Sequence, residues 1–153
     1  LKLSEEVCSL EMAIKLKELG ILEESVFVWE YVDEKCYGVK FIPHAVVPNP
    51  IFEHGIKIYP AYNASELINI LPPCIDIKTD CPFNYFWLQI EKRTAENIKY
   101  IVRYLCDSIP GEEINNPHFK VQFTHTYSSN LSDALAKMII YLIEEKLIEI
   151  PKD

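Results

Sequence analysis

The sequence predicts an α+β fold: a single domain over residues 1–153 in which an antiparallel sheet of about five strands is packed by N-terminal, middle and C-terminal helices. Three observations carry this expectation. Apolar residues at helical spacing, with capping residues in place, occur near both ends and once in the middle. Runs of β-branched and aromatic residues lie between them, and two of these runs follow one another across turns too short for a parallel crossover.

The elements follow in chain order. Ser9 to Gly20 reads as a helix with Ser9 as N-cap, Glu11 in the first turn and Gly20 as the left-handed residue past its end, followed by Ile21 as the apolar contact of that cap. Val26 to Val32 is a strand with Phe27, Trp29 and Tyr31 on one face; Asp33 to Lys35 turns the chain, and Cys36 to Ile42 returns as the second half of a hairpin. Pro43, Pro48, Pro50 and Gly55 mark a connection over 43–55, with a short strand at Gly55 to Tyr59. A short helix, capped near Asn63 or Ser65, runs to Pro72-Pro73 with Leu67, Ile68 and Leu71 inward.

Asn84 to Glu91 is an aromatic strand. Residues 98–105 satisfy a helical and an alternating pattern alike; the density of β formers favours a strand, with Arg93 to Asn97 as the turn. Phe119 to Tyr127 is the last strand. The final helix, Asn130 to Ile148, takes Ser132 as N-cap and buries Leu135, Met138, Ile139, Leu142 and Ile143. Its polar strip of Asp133, Lys137 and Glu144 is interrupted by Ile140, with Tyr141 at the edge. A helix apolar nearly all round is covered on both sides, by its sheet and by a second layer or another subunit.

Composition bounds the function. With 49% apolar and 12% aromatic residues in 153, the chain can bury a core. The longest apolar run, Met138 to Ile143, is far shorter than the roughly 20 residues of a membrane span. No basic segment followed by an apolar one opens the chain, which starts at Leu1 rather than methionine, so residues ahead of it are expected. Five cysteines, Cys8, Cys36, Cys74, Cys81 and Cys106, are scattered without a close pair and fit reduced thiols in a cytoplasm. The sequons at Asn63 and Asn130 fall where helix caps are needed, which explains both without glycosylation.

The net charge of −8 is concentrated in residues 1–34, with nine acids against three lysines. That balance argues against a nucleic-acid footprint, which requires a basic stripe. A solvated acidic surface accounts for it, and an acidic inhibitor or DNA mimic acting through residues 1–34 is the sharper alternative.

Little catalytic chemistry is legible. Cys74 with Cys81 and His118 with His125 lack chelating spacing, and no metal or cofactor is expected. Gly20, Gly38, Gly55 and Gly111 are too dispersed to cradle phosphate. A small Cys/His enzyme would use Cys81 with His44 or His54, but nothing in the sequence brings them together. The aromatics carry more. Tyr85 and Trp87 alternate against Phe86 and Leu88, and Trp29 and Tyr31 repeat the pattern, so a sheet covered on one face would leave rings on the other. Such rings are either partly exposed structural residues or a protein-binding surface.

Three segments, Ser9-Leu-Glu-Met-Ala13 through Gly20, Tyr59-Pro-Ala-Tyr-Asn-Ala-Ser-Glu-Leu67 through Pro72, and Asp133 to Glu144, together with the aromatic strands between them, resemble a group of small proteins encoded by bacteriophages and prophages of gut-type bacteria. No activity is established for that group. The resemblance implies an intracellular setting and a strand over residues 98–105. The expected function is therefore a non-enzymatic cytoplasmic accessory protein that acts by protein–protein contact, self-association included, through Ile140, Tyr141, Trp29, Tyr31, Tyr85 and Trp87.

Overall fold

The computed structural model describes residues 2–21, 25–33, 36–41, 58–77, 85–95, 98–106 and 121–150. After a 3-10 turn at Leu3–Glu5, the chain forms α1 (Leu10–Glu18), β1 (Phe27–Asp33), β2 (Cys36–Phe41), β3 (Tyr59–Pro60), α2 (Ala64–Ile70), β4 (Cys74–Asp76), β5 (Tyr85–Ala95), β6 (Ile98–Cys106), β7 (Val121–Ser128) and α3 (Leu131–Glu144).

The α+β class holds, but the strands form two antiparallel sheets, ordered β2-β1-β3 and β4-β5-β6-β7, in place of one sheet of five. The reason lies in which strand edges are taken. Cys74–Asp76 pairs along β5 on the side away from β6, through Cys74 with Trp87 and Asp76 with Tyr85, so the hairpin of β1 and β2 has no edge of β5 to join. Its own free edge is met by Tyr59 and Pro60. The pairing sets Val28 against Pro60 and Trp29 against Tyr59, and the Ala61 N–H extends it to the Phe27 carbonyl at 2.8 Å.

Residues 98–106 are a strand, paired on both sides along almost their whole length. β5 runs on to Ala95, which pairs with Ile98, so the turn is shorter than Arg93 to Asn97. The loop reading of 43–55 and the start of the last strand at Phe119 fall outside the described residues.

The core lies between the four-stranded sheet and the helices. α3 packs against β6 and β7 and, around the rest of its circumference, against α1 and α2. This is the double cover its sequence calls for, and the chain itself supplies it: Leu135, Met138, Ile139 and Leu142 are fully buried, and Ile140 is 5% exposed. From the sheet come Ile75, Phe86, Val102 and Tyr104, and from α1 Met12, Ala13 and Leu16.

The caps explain where the helices stop. Asn63 accepts the Glu66 N–H while Glu66 accepts the Asn63 N–H, a closed capping box. Asn130, not Ser132, caps α3, accepting from the Ser132 N–H. Both helices α1 and α3 end in the same double-bonded cap. In α1 the Ile21 N–H donates to the Leu16 carbonyl at 3.0 Å and Gly20 takes φ +90°. In α3 the Leu147 N–H donates to the Leu142 carbonyl at 2.8 Å, and the left-handed position is held by Lys146 at φ 57°.

A side chain at φ > 0 is strained, so the two caps should respond oppositely. Gly20→Ala is expected to lower stability by about 1 kcal/mol and Lys146→Gly to raise it by about 0.5–1 kcal/mol. Among the described residues a Cβ at Gly20 meets only the Ile150 Cδ1, at 3.6 Å, so its cost is conformational. Urea midpoints of the two variants check this; changes of the same sign would contradict it.

Candidate functional site

Residues 6–9 are tied by successive backbone groups to three other parts of the chain: the start of α3, Tyr62 and Trp29. The Glu6 carbonyl accepts from Ser132 Oγ at 3.0 Å, and the Val7 carbonyl from Asn130 Nδ2 at 2.9 Å. The Cys8 N–H donates to the Tyr62 carbonyl at 2.8 Å. The Cys8 carbonyl accepts from Trp29 Nε1 at 2.9 Å, and the Ser9 N–H donates to Asp133 Oδ1 at 2.6 Å. Ser9 makes no side-chain cap of its own; Asp133 of α3 takes its N–H instead. A second tie runs from Glu66, whose carboxylate accepts from Ser25 Oγ at 3.0 Å and from the Val26 N–H at 3.0 Å, fixing the start of β1 against α2.

This arrangement decides three of the residues singled out as a contact surface. Trp29 is half-buried, packs against the core and spends its indole N–H on Cys8, so it is a structural strut between the hairpin and residues 6–9. Ile140, expected at the surface only if the helix were half covered, is inside the core, and Tyr141 is half-buried against it. A lysine at Ile140 would therefore perturb the fold rather than report self-association. The side chain of Tyr31 lies outside the described residues.

Tyr85 and Trp87 are different: they are 58% and 57% exposed. The alternation of β5 sends Phe86 into the core and Tyr85, Trp87, Gln89, Glu91 and Arg93 to the face of the sheet away from the helices. Pairing then places Leu105 beside Trp87, Arg103 beside Gln89 and His125, and Ile101 between Glu91 and Tyr127. Tyr127 is 53% exposed and its ring stacks on His125 with centroids 6.3 Å apart. Ile101 and Leu105, on the central strand of that face, are only 8% and 4% exposed, with Tyr127 and Trp87 as direct cross-strand neighbours.

A polar ladder crosses the middle of this face. Arg103 donates from Nε to Gln89 Oε1 at 2.9 Å, and its Nη2 lies 2.9 Å from Glu91 Oε2. Arg93 Nε lies 2.8 Å from the other oxygen of Glu91. The hydrogen bond from Arg93, helped by the charges of Arg93 and Arg103, holds the Glu91 carboxyl below its ordinary range, so the ladder stays ionised at neutral pH. One carboxylate shared by two guanidinium groups leaves a positive charge over, and Lys99, exposed at the same end, adds another. Tyr127 and this ladder were not read from the sequence as a surface; the period-2 pattern of Tyr127 with His125 was available, but only the register joins them to Trp87.

Thiol chemistry at this face would fall to Cys74, paired with Trp87 and half-buried. Cys81, His44, His54 and His118 lie outside the described residues. Among the described residues, no group of three or more His, Cys, Asp or Glu side chains is placed to hold a metal ion, and no helix is long and apolar enough to cross a membrane.

Cys8 is buried, and burial pushes its thiol up from 9.0 to about 12. The native state thus keeps a proton that the unfolded chain releases. This contribution to stability is fully present below pH 9.0 and is lost as pH rises towards about 12. Urea titrations of the wild type and Cys8→Ala at successive pH values should show the gap between them closing above pH 9 by up to about 1.4 kcal/mol per pH unit. A gap independent of pH would contradict the burial of this thiol.

No family model, no curated protein and no solved structure matches the chain.

Proposed function

We propose that the chain is a non-enzymatic binding protein whose partner docks on the face of the four-stranded sheet turned away from the helices. The observation that carries this reading is the exposure of Trp87, Tyr85 and Tyr127 around the ion-paired Arg103 on one face. Trp, Tyr and Arg are the residues that dominate binding energy at protein interfaces, because each offers a large, stiff surface with a polar handle. Arg103 is held in place before any partner arrives, which lowers the ordering cost of binding. Exposed rings on a rigid sheet otherwise bring a standing tendency to associate with no return in stability.

The setting of that function, a phage or prophage accessory protein in a cytoplasm, is supported by the resemblance of the three segments described above. Of the two alternatives, the Cys81 enzyme would draw on Cys81 with His44 or His54, all of them outside the described residues. Glu5, Glu6, Glu11 and Glu18, on which the acidic alternative rests, are exposed.

The reading is tested by affinity capture from cells that carry the gene, comparing the wild type with Trp87→Ala and Tyr127→Ala. Both side chains are more than half exposed, so melting temperatures should stay within about 2 °C of wild type. The expected result is loss of the captured partner by at least tenfold, the effect of removing about 1.4 kcal/mol at an interface anchor. Undiminished capture by both variants would move the binding site elsewhere.

A further inference from the structure

The size and charge of the sheet face narrow what can occupy it. Among the described residues, four strands spaced about 4.8 Å apart and outward rows about 6.6 Å apart give a face of roughly 14 by 27 Å, or about 400 Å². A stable dimer or a standard globular complex buries about 800 Å² on each partner, twice that area. The face is wide enough for one helix, about 10 Å across, or for one extended segment.

Its charge runs opposite to that of the molecule. The chain carries −8 overall, yet the described charged residues on this face are Arg93, Lys99 and Arg103 against Glu91 and Asp76. They are also sorted along it. Arg93, Lys99 and Arg103 gather around Glu91 at the end where β5 turns into β6, while Asp76 lies beside Tyr85 at the opposite end. The guanidinium of Arg93 binds Glu91 through Nε at 2.8 Å, and its side chain is 47% exposed, so its two terminal nitrogens remain available for a bidentate acceptor.

Resting on the reading of this face as a binding surface, we infer that its occupant is a single acidic segment of a partner protein. Its carboxylates meet Arg93, Lys99 and Arg103, and its apolar side chains meet Trp87, Tyr85 and Tyr127. A second copy of the chain is disfavoured by the area. A nucleic-acid strand could stack on the rings and meet the same cations, but it would bring a dense row of phosphates against a −8 chain with only one guanidinium charge and one lysine unspent.

The test pans the full chain against a displayed library of random peptides of about 18 residues, the helix length that spans 27 Å. Enriched peptides are synthesised with a fluorophore and titrated by anisotropy, beside an oligothymidylate of similar length. The expected result is enrichment of peptides that combine Asp or Glu with Trp, Phe or Leu. Their binding should fall at least tenfold in Trp87→Ala, Tyr85→Ala and Lys99→Glu, and should weaken with salt. Enriched peptides that are neutral or basic but still require Trp87 would overturn the acidic segment and leave the face intact. Peptides indifferent to Trp87, Tyr85 and Tyr127 would overturn the face as well. Tighter binding of oligothymidylate than of any peptide, or no enrichment at all, would overturn the inference. Thermal melts of each variant keep a loss of binding separate from a loss of fold.

Discussion

Leu135→Ala is expected to lower the stability of the chain by about 3 kcal/mol, within the 2–5 kcal/mol range of buried leucine truncations, and to reduce the melting temperature by about 10 °C. Leu135 is fully buried in α3, the helix packed by β6 and β7 and by α1 and α2. The cost has two parts: the lost transfer of the isobutyl group and the cavity left behind. Neighbours can close a cavity only if they can move. Here the surrounding elements are separately held, α1 by Asp133, α2 by its capping box and the sheet by its ladders. The same truncation at Leu131, half-buried at the start of α3, should cost about 1 kcal/mol. Urea unfolding followed by circular dichroism measures both; a loss at Leu135 no larger than at Leu131 would contradict the central position of α3.

Asp133→Ala is expected to cost about 2 kcal/mol, because it removes a charged acceptor at 2.6 Å from the Ser9 N–H and leaves that donor partly buried without it. It also removes a carboxylate from the first turn of α3, where the helix dipole favours one. Asp133→Asn keeps an oxygen in the same place and should cost about half as much. The damage should be local: amide hydrogen exchange is expected to rise first at Cys8 and along α1, since the bonds to the Glu6 and Val7 carbonyls do not restrain Ser9. Equal losses for the Ala and Asn variants, with no change in exchange along α1, would refute this role.

The same residues show what was readable in the chain and what was not. Gly20 followed by Ile21 announces a left-handed cap because both the backbone freedom and the apolar contact are local properties, and the structure has them. The cap near Asn63 or Ser65 was legible for the same reason and Asn63 makes it, whereas the cap expected at Ser132 is made by Asn130. Ser9 and Ser132 illustrate the limit. Each has the chemistry of a cap, but Ser9 gives its N–H to Asp133 and Ser132 gives its hydroxyl to Glu6, and partners more than a hundred residues away leave no local trace. The division into two sheets was hidden likewise. It turns on Cys74–Asp76, three residues after Pro72-Pro73 and too few to display alternation.

The candidate surface divides along the same line. Alternation alone places Tyr85 and Trp87 opposite Phe86, and the structure keeps them exposed. Trp29 has the same alternation, and a hydrogen bond to Cys8 turns it inward. Ile140 was ambiguous because the helical pattern states how much surface must be covered, not whether the chain or a partner covers it; α1 and α2 do. The ladder of Gln89, Arg103 and Glu91, with Tyr127 beyond it, depends on strand register, which a single strand does not encode.

Site-specific photo-crosslinking would show whether a partner sits on the sheet face. A photoreactive phenylalanine derivative is placed at Trp87, at Tyr127 and, as a control on another surface, at Ile68 of α2, which the helical pattern turns inward but the structure leaves 38% exposed, and the chains are irradiated in cells that carry the gene. The expected result is the same discrete protein adduct from positions 87 and 127 and none from position 68. Adducts from position 68 alone, or none from either sheet position, would contradict it.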